Sequence, residues 1–359
     1  MKKYIIHLTL IGIFVSVFVV GCQSASSLPS EQEVDAPQHA TSTTGQNSHE
    51  MQLPMPEHDQ GTLTLPPTLS HSEHPELITI RGIEYSTSLT ELTLFDMGLR
   101  NEDIISLQHL TNLRMLDIRR NQISDISPLS GLVQLEELQL DHNHISDIAP
   151  LYNLSSIRFL GLSGNRIIDI SPLMRHQNLR GLRLSGILNI DIKQLSGFMN
   201  LEMLYLNNCN ISDITSLYSL ANLEILELSG NQISDISPLG NLTSLLHLDL
   251  ANNQIRDVAP LSNLVNLVGL RLSNNQVSDI SQLAGLVSIA GLLIDNNQIN
   301  DISPLSSLEN LYTLNLANNQ ISDISPLSSL TSLRLLDLHN NPILDWTPIE
   351  NLDVAMERL

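Results

Sequence analysis

The sequence is poor in aromatic residues, in cysteine and in positive charge. Aromatic side chains account for 3% of the 359 residues while 42% are hydrophobic, so leucine and isoleucine must build the core. The 38 acidic residues outnumber the 17 basic ones, and the net charge of -21 argues against nucleic acid or an anionic lipid surface as the main partner. Cys22 and Cys209 allow at most one disulfide and lack the C-x-x-C spacing of zinc or thiol-exchange sites. A disulfide scaffold and a zinc module are therefore excluded.

The first 21 residues have the layout of an export signal. Two lysines precede an apolar run from Tyr4 to Val20, which is marginal for spanning a hydrocarbon layer of ~30 Å. The run ends in Val-Val-Gly-Cys, which resembles the bacterial lipobox. This resemblance implies that residues 1–21 are removed and that a palmitate-type lipid on Cys22 anchors the protein in the cell membrane or the outer membrane, outside the cytoplasm. An ordinary secretory signal or a short membrane anchor is the alternative.

Residues 22–74 are predicted to form a disordered tether. They are rich in Ser, Thr, Gln, Pro and His and show no apolar period, so they cannot bury enough surface to fold. Five histidines in this stretch offer weak metal binding as an alternative, but their spacing is irregular. We expect a spacer here, and no metal or cofactor anywhere in the chain.

The rest of the sequence repeats with a period of 22 residues, the signature of a solenoid. One unit, Leu223 to Leu242, reads L-x-x-L-x-L-x-x-N-x-I-x-D-I-x-P-L-x-x-L. Twelve such units fill residues 89–352, preceded by a half-repeat or cap at 75–88 and followed by a short cap at 353–359. They begin at Leu89, Leu113, Leu135, Ile157, Leu179, Leu201, Leu223, Leu245, Leu267, Ile289, Leu311 and Leu333.

The period-2 alternation around Leu226 and Leu228 predicts a short strand in each unit, and twelve strands would form one parallel sheet. The repeat resembles the leucine-rich repeat family, and its D-I-x-P-L ending is similar to that of the internalin type of bacterial surface protein. This resemblance implies an α/β solenoid shaped as a horseshoe or arc. Its parallel β-sheet would line the concave face, and 3₁₀ or irregular turns would form the convex side.

Two polar columns run through the units. An asparagine follows the strand in most units and can satisfy backbone groups of a buried turn. Cys209 replaces it once and is predicted to be a buried structural thiol, with a reactive thiol as the alternative. An aspartate recurs in every unit, usually three residues before proline, which favours capping of a 3₁₀ turn over a calcium ladder because it stands alone in each unit.

The second, fourth and sixth positions after each leading residue are predicted to point outward and are free to encode a partner. Most are small or polar, but larger side chains gather in the middle of the array, where interfaces place aromatic, Met and Arg anchors. Arg183 and Tyr205 would be neighbours close enough for a cation-π contact. The predicted partner-binding residues are Phe159, Arg183, Met203, Tyr205, Ile225, Glu227, Asp249 and Arg271.

Residues 174–218 break the repeat. Ile187 stands in place of Asn, while His176 and Phe198 replace the last leucine of their units. A reshaped binding site and tolerated drift both explain this break. From Leu184 onward the chain has five basic and eighteen acidic residues, which favours a basic or neutral partner surface.

We therefore expect a monomeric, lipid-anchored surface protein that binds a protein, or a glycan, on its sheet and serves adhesion or recognition. No catalytic motif is present, so an enzyme is not expected. A passive envelope spacer is one alternative. A regulatory subunit is the other, because the repeat also resembles that of a eukaryotic phosphatase-1 regulator.

Overall fold

The computed structural model describes residues 75–188 and 190–357, and the predicted signal, Cys22 and the tether lie outside this range. Each repeat contributes one three-residue strand and one 3₁₀ helix, joined by turns. The strands are β1 Leu77–Ile80, β2 Ile83–Ser86, β3 Glu91–Thr93, β4 Met115–Asp117, β5 Glu137–Gln139, β6 Phe159–Gly161, β7 Gly181–Arg183, β8 Met203–Tyr205, β9 Ile225–Glu227, β10 His247–Asp249, β11 Gly269–Arg271, β12 Gly291–Leu293, β13 Thr313–Asn315, β14 Leu335–Asp337 and β15 Ala355–Glu357.

The helices lie on the other side of each repeat. They are η1 Asn101–His109, η2 Ser127–Leu129, η3 Ala149–Leu151, η4 Ser171–Arg175, η5 Ile192–Gly197, η6 Thr215–Ser219, η7 Ser237–Asn241, η8 Ala259–Asn263, η9 Ser281–Gly285, η10 Ser303–Ser307, η11 Ser325–Ser329 and η12 Thr347–Ile349. In the two described ranges, no helix has the length and apolarity that crossing a bilayer requires.

The fold is the predicted leucine-rich repeat solenoid. Strands β3 to β15 form one parallel sheet in sequence order, so that Leu226 of β9 pairs with Leu248 of β10. The sheet has thirteen strands, one more than the twelve predicted, because the C-terminal tail returns to the sheet and the Ala355 N–H donates to the Arg334 carbonyl at 2.7 Å.

The segment before the first repeat forms an antiparallel hairpin, β1–β2, instead of a strand of the parallel sheet. Arg81 and Gly82 occupy its turn with φ values of 48° and 80°. Two successive positive φ values are the geometry of a two-residue hairpin turn, which the half-repeat pattern of apolar residues did not indicate.

The core is a continuous column of leucine and isoleucine. The inward residues of one unit, such as Leu226, Leu228 and Leu239, are fully buried, and their equivalents in the other units continue the cluster. Each unit shares both faces with its neighbours, so the apolar surface that a single unit would expose is covered by stacking.

The asparagine column satisfies the turn after each strand, as predicted. Each member donates from Nδ2 to carbonyls of its own and the preceding repeat and accepts a backbone N–H at Oδ1, as Asn253 does from Ile233 at 3.0 Å. Cys209 is 1% exposed and its thiol lies 3.3 Å from the Leu184 carbonyl. Its place in the column is structural. The column comprises Asn121, Asn143, Asn165, Asn231, Asn253, Asn275, Asn297, Asn319 and Asn341.

The aspartate column caps the 3₁₀ helices, also as predicted. Asp235 accepts the Ser237 backbone N–H at 2.8 Å, and the same bond recurs from Asp125 to Asp345. Because this local bond favours the ionised form, the pKa of the Asp235 carboxyl lies below its usual value. Each carboxylate therefore accepts a hydrogen bond from the backbone of its own turn.

The irregular repeats stack on their neighbours because other residues occupy the buried positions of the usual asparagine and leucine. Ile187 is buried in the column where Asn would stand, and His176 and Phe198 are buried where leucine would stand. The His176 ring nitrogen Nδ1 lies 3.1 Å from the Leu173 carbonyl, and burial lowers the pKa of this histidine.

Candidate functional site

The eight predicted partner-binding residues lie together on the sheet face, on six consecutive strands from β6 to β11. The pairing register divides them into two parallel rows. The apolar row contains Phe159, Met203 and Ile225. The charged row contains Arg183, Tyr205, Glu227, Asp249 and Arg271. We call these two rows together the central surface.

The side chains of Phe159 and Met203 in the apolar row cover Gly181, which lies between them. A Cβ atom at this glycine would lie 2.7 Å from Cδ1 of Phe159 and 3.3 Å from Cε of Met203. A side chain at residue 181 would therefore displace one of these two larger residues. Ile225 is 7% exposed, so it contributes less surface than the alternation of the strand predicts.

The charged row lies on five adjacent strands and contains two side-chain pairs. The Arg183 guanidinium lies 5.9 Å from the centre of the Tyr205 ring, which confirms the predicted cation-π pair. Nη1 of Arg271 lies 3.4 Å from Oδ2 of Asp249. Glu227, between these two pairs, accepts a hydrogen bond at 2.6 Å from the amide of Asn207.

The two central carboxyl groups are held in an unfavourable environment for their charge. Burial raises the pKa of Glu227, and the neighbouring Asp249 carboxylate raises it further against the hydrogen bond from Asn207. Burial likewise raises the pKa of Asp249, although Arg271 opposes this shift. A cation bound between the two groups would relieve both effects.

A second site on the sheet face was not predicted. A cavity of about 450 Å³ lies beside the central surface, toward the N-terminal end of the sheet. Its lining includes Phe95, Arg119, Arg120, Asp141, Ser163 and Arg183, which we call the basic cleft. Four of these residues lie at the sixth position after the leading residue of their repeats: Phe95, Arg119, Asp141 and Ser163. The sequence therefore already indicated that they lie on the outward face of the sheet.

Two of these four residues are less exposed than the alternation predicts. Asp141 is 4% exposed and Ser163 is 8% exposed, because the sheet ends there and the chain turns inward. Arg119 and Arg120 lie over the Phe95 ring, with guanidinium carbons 5.4 and 5.7 Å from its centre. These contacts bring residues of two repeats into one cavity wall.

A further cavity of about 510 Å³ lies among the irregular repeats. Lys193, Asp213 and Ser216 line it beside the buried Cys209, and burial raises the pKa of this thiol. Within the described part of the chain, no cluster of three or more His, Cys, Asp or Glu side chains has the arrangement of a metal site.

Comparison with known proteins identifies the repeat. The family of Leucine Rich repeats (2 copies) matches residues 111–153, 133–174, 199–241, 221–263, 243–285, 287–328 and 309–352, which together cover more than half of the chain. This family is defined by its repeat and not by a reaction. A search of curated proteins finds no match.

Solved structures share the fold. An internalin (InlF) of Listeria monocytogenes is 34% identical with a TM-score of 0.68, over 77% of this chain and 89% of that one. A leucine-rich repeat protein of Leptospira interrogans is 26% identical with a TM-score of 0.64, over 70% and 68% of the two chains. A plant peptide hormone receptor, RGFR1, is 24% identical with a TM-score of 0.62, over 76% of this chain and 47% of that one, and shows the fold alone.

Proposed function

The chain belongs to the leucine-rich repeat family, and we propose that it is a recognition protein whose central surface binds another protein. One observation carries this proposal. The side chains that face outward from the sheet, of which Ile225 is the least exposed at 7%, form two rows in register, one apolar and one charged, across six strands. Aromatic and Arg anchors surrounded by apolar contact are the usual energetic centre of a protein interface.

The charges of the central surface favour a partner with a basic group. Glu227 and Asp249 are adjacent and partly buried, and the pKa of each is raised. A Lys or Arg of the partner placed between them would restore a favourable environment for both carboxylates. The arginines at the two ends of the row, Arg183 and Arg271, would then set the position of that group along the sheet.

We further propose that a lipid on Cys22 holds the protein at the bacterial cell surface. The support is the Val-Val-Gly-Cys stretch after an apolar run, together with the Ser- and Pro-rich segment that follows and would act as a tether. Labelling of growing cells with a palmitate analogue tests this step. The label should enter the wild-type chain and be absent from a Cys22→Ala variant, whereas equal labelling would reject the anchor.

A pair of matched double variants tests partner binding. The first, Arg183→Ala with Tyr205→Ala, removes the cation-π pair of the central surface. The second, Arg175→Ala with Tyr152→Ala, removes a similar pair on the helix side, where the guanidinium lies 5.0 Å from the ring centre.

The full chain and both variants would be cross-linked to surface extracts of neighbouring cells and matrix, and the captured proteins compared. We expect the first variant to lose at least about tenfold of the capture, in line with the loss of interface anchors, and the second to retain it. Equal capture by both variants would favour a passive spacer.

A further inference from the structure

The basic cleft carries one more positive charge than its neighbours neutralise. Arg119 donates to the Asp117 carboxylate from Nε at 2.9 Å and from Nη2 at 2.6 Å, so this pair is closed. Nη1 of Arg183 lies 3.9 Å from Oδ2 of Asp141, beyond hydrogen-bond range. Arg120 is exposed and pairs with no acidic residue of the described ranges. In a chain with a net charge of -21, this excess is local and favours an anion at the cleft.

The cleft also holds a buried carboxylate oxygen that accepts no hydrogen bond. The Asp141 side chain is 6% exposed, and its Oδ1 accepts the Ser163 backbone N–H at 3.0 Å. Its Oδ2 is buried, and no donor for it occurs among the residues that the structure describes. Buried polar atoms without a partner are rare because they lose the hydrogen bonds of water. A ligand that fits the cleft must therefore bring a donor as well as an anion.

Two serine hydroxyls on the cleft wall can donate to a ligand. Oγ of Ser163 accepts the Ser185 backbone N–H at 3.1 Å, and Oγ of Ser185 accepts the Asn207 N–H at 3.1 Å. Each oxygen is used as an acceptor, so each hydroxyl proton remains for a ligand. The cavity volume of about 450 Å³ is within the range of small-molecule pockets and accommodates a sugar ring with its substituents.

We propose that the basic cleft binds a single acidic sugar, of the uronic acid type, at the end of an otherwise neutral glycan. The sugar carboxylate pairs with Arg120 and Arg183. Ring hydroxyls donate to Oδ2 of Asp141 and accept from the Ser163 hydroxyl. The cleft acts independently of the proposed protein-binding function, with which it shares only Arg183.

Other anions fit the cleft less well. Sulfate brings charge without a donor for Asp141. An acidic peptide carries its carboxylate on a chain of methylene groups, whereas a uronic acid has a hydroxyl on the ring carbon next to the one that bears the carboxylate. A polyanion such as polyphosphate meets the strong negative charge of the rest of the chain. The favoured ligand therefore combines one charge with neighbouring hydroxyls.

Titration calorimetry with the full chain tests this proposal directly. The probes are glucuronic acid, glucose, sodium sulfate, a glutamate-rich peptide and polyphosphate, each at low ionic strength. We expect glucuronic acid to bind at least about tenfold more tightly than each of the others, because only it supplies both a carboxylate and adjacent donors. No protein partner is present in this assay, so its outcome is separate from that of the capture experiment.

Arg120→Asn removes the free charge without straining the turn. Arg120 has a φ of 54°, and later repeats place asparagine at the same position, as at Asn252 and Asn274 with φ values of 55°. We expect this variant to bind glucuronic acid at least about tenfold more weakly. The matched control is Arg175→Ala, which removes an exposed arginine that also lies over a ring, and it should retain binding.

Asp141→Asn distinguishes a sugar site from a plain anion site. The variant keeps an oxygen for the Ser163 N–H and converts the unpaired Oδ2 into a donor. We expect glucuronic acid to bind more weakly and sulfate to bind more tightly. The proposal is overturned if sulfate, the peptide or polyphosphate binds the wild-type chain as tightly as glucuronic acid does, if glucuronic acid does not bind, or if Arg120→Asn leaves its binding unchanged.

Discussion

Replacing Asn253 with alanine isolates the contribution of one member of the asparagine column. Its Oδ1 accepts the Ile233 backbone N–H at 3.0 Å, and no other acceptor serves this amide within the described residues. Its Nδ2 donates to the Leu228, Leu250 and Ala251 carbonyls at 3.0, 3.1 and 3.1 Å. Asn253 is 8% exposed, so water does not readily replace these bonds.

These four bonds are not equally important, and the Ala251 carbonyl also accepts the Gly230 backbone N–H at 2.9 Å. The Leu228 and Leu250 carbonyls each have a second donor, from Asn231 and Asn275 at 2.9 Å, so the variant weakens their bonding without abolishing it. The Ile233 N–H loses its acceptor. An orphaned buried donor costs about 1–3 kcal/mol, and each of the two Nδ2 hydrogens that loses a carbonyl costs about 0.5–1.5 kcal/mol, which gives a destabilisation of about 2–6 kcal/mol.

Urea unfolding followed by circular dichroism measures this loss. The control is Asn266→Ala, where an exposed Nδ2 donates to the Thr243 carbonyl at 2.9 Å, and we expect it to cost less than about 1 kcal/mol. Hydrogen exchange of the Ile233 amide should accelerate in Asn253→Ala alone. Equal destabilisation by the two variants, or unchanged exchange at Ile233, would refute the proposed role of the column.

Three further predictions concern ionisable groups. Glu227→Gln should raise the melting temperature at neutral pH. A carboxyl with a raised pKa stabilises the fold only at low pH and loses that contribution as the pH rises through its folded-state pKa. The same variant should weaken partner capture. The pKa of Asp235 is lowered, so its stabilisation is present above the unfolded-state pKa and lost as the pH falls through the folded-state value. Asp235→Asn should therefore match the wild-type melting temperature more closely in acid than at neutral pH. Cys209 should react with a thiol reagent only at the rate of unfolding, because it is 1% exposed and burial raises its pKa; rapid labelling of the folded protein would contradict this.

The sequence predicts those parts of the structure that a local period controls. The alternation around Leu226 predicts strand, face and register, and the place of Asp235 before Pro238 predicts the cap of a 3₁₀ helix. Each depends on residues within one unit. The same period predicts the central surface, because outward positions in successive units must become neighbours once the units stack.

The features that the sequence did not predict depend on how the array ends and turns. Strand β15 forms because the chain after Leu352 returns to an open sheet edge, which no repeat pattern encodes. The basic cleft forms because Arg119 and Arg120 fold over Phe95 of the preceding repeat, and because Asp141 becomes buried where its strand ends. The alternation predicts on which face of the sheet a side chain lies, but it does not predict how deeply that side chain is buried where the strand ends.

The two surface sites differ from the columns in how they treat polar groups. In the asparagine and aspartate columns, each side chain described above has backbone partners, and the pKa of Asp235 is lowered. On the sheet face, Glu227 and Asp249 have raised pKa values and Asp141 has an unpaired oxygen. Stacking gives no reason to keep these carboxyl groups on the sheet face, since small residues at the equivalent positions of other units allow the same stacking. A ligand that completes them is the reason we infer, and it places recognition on the face where the repeat leaves the choice of residue free.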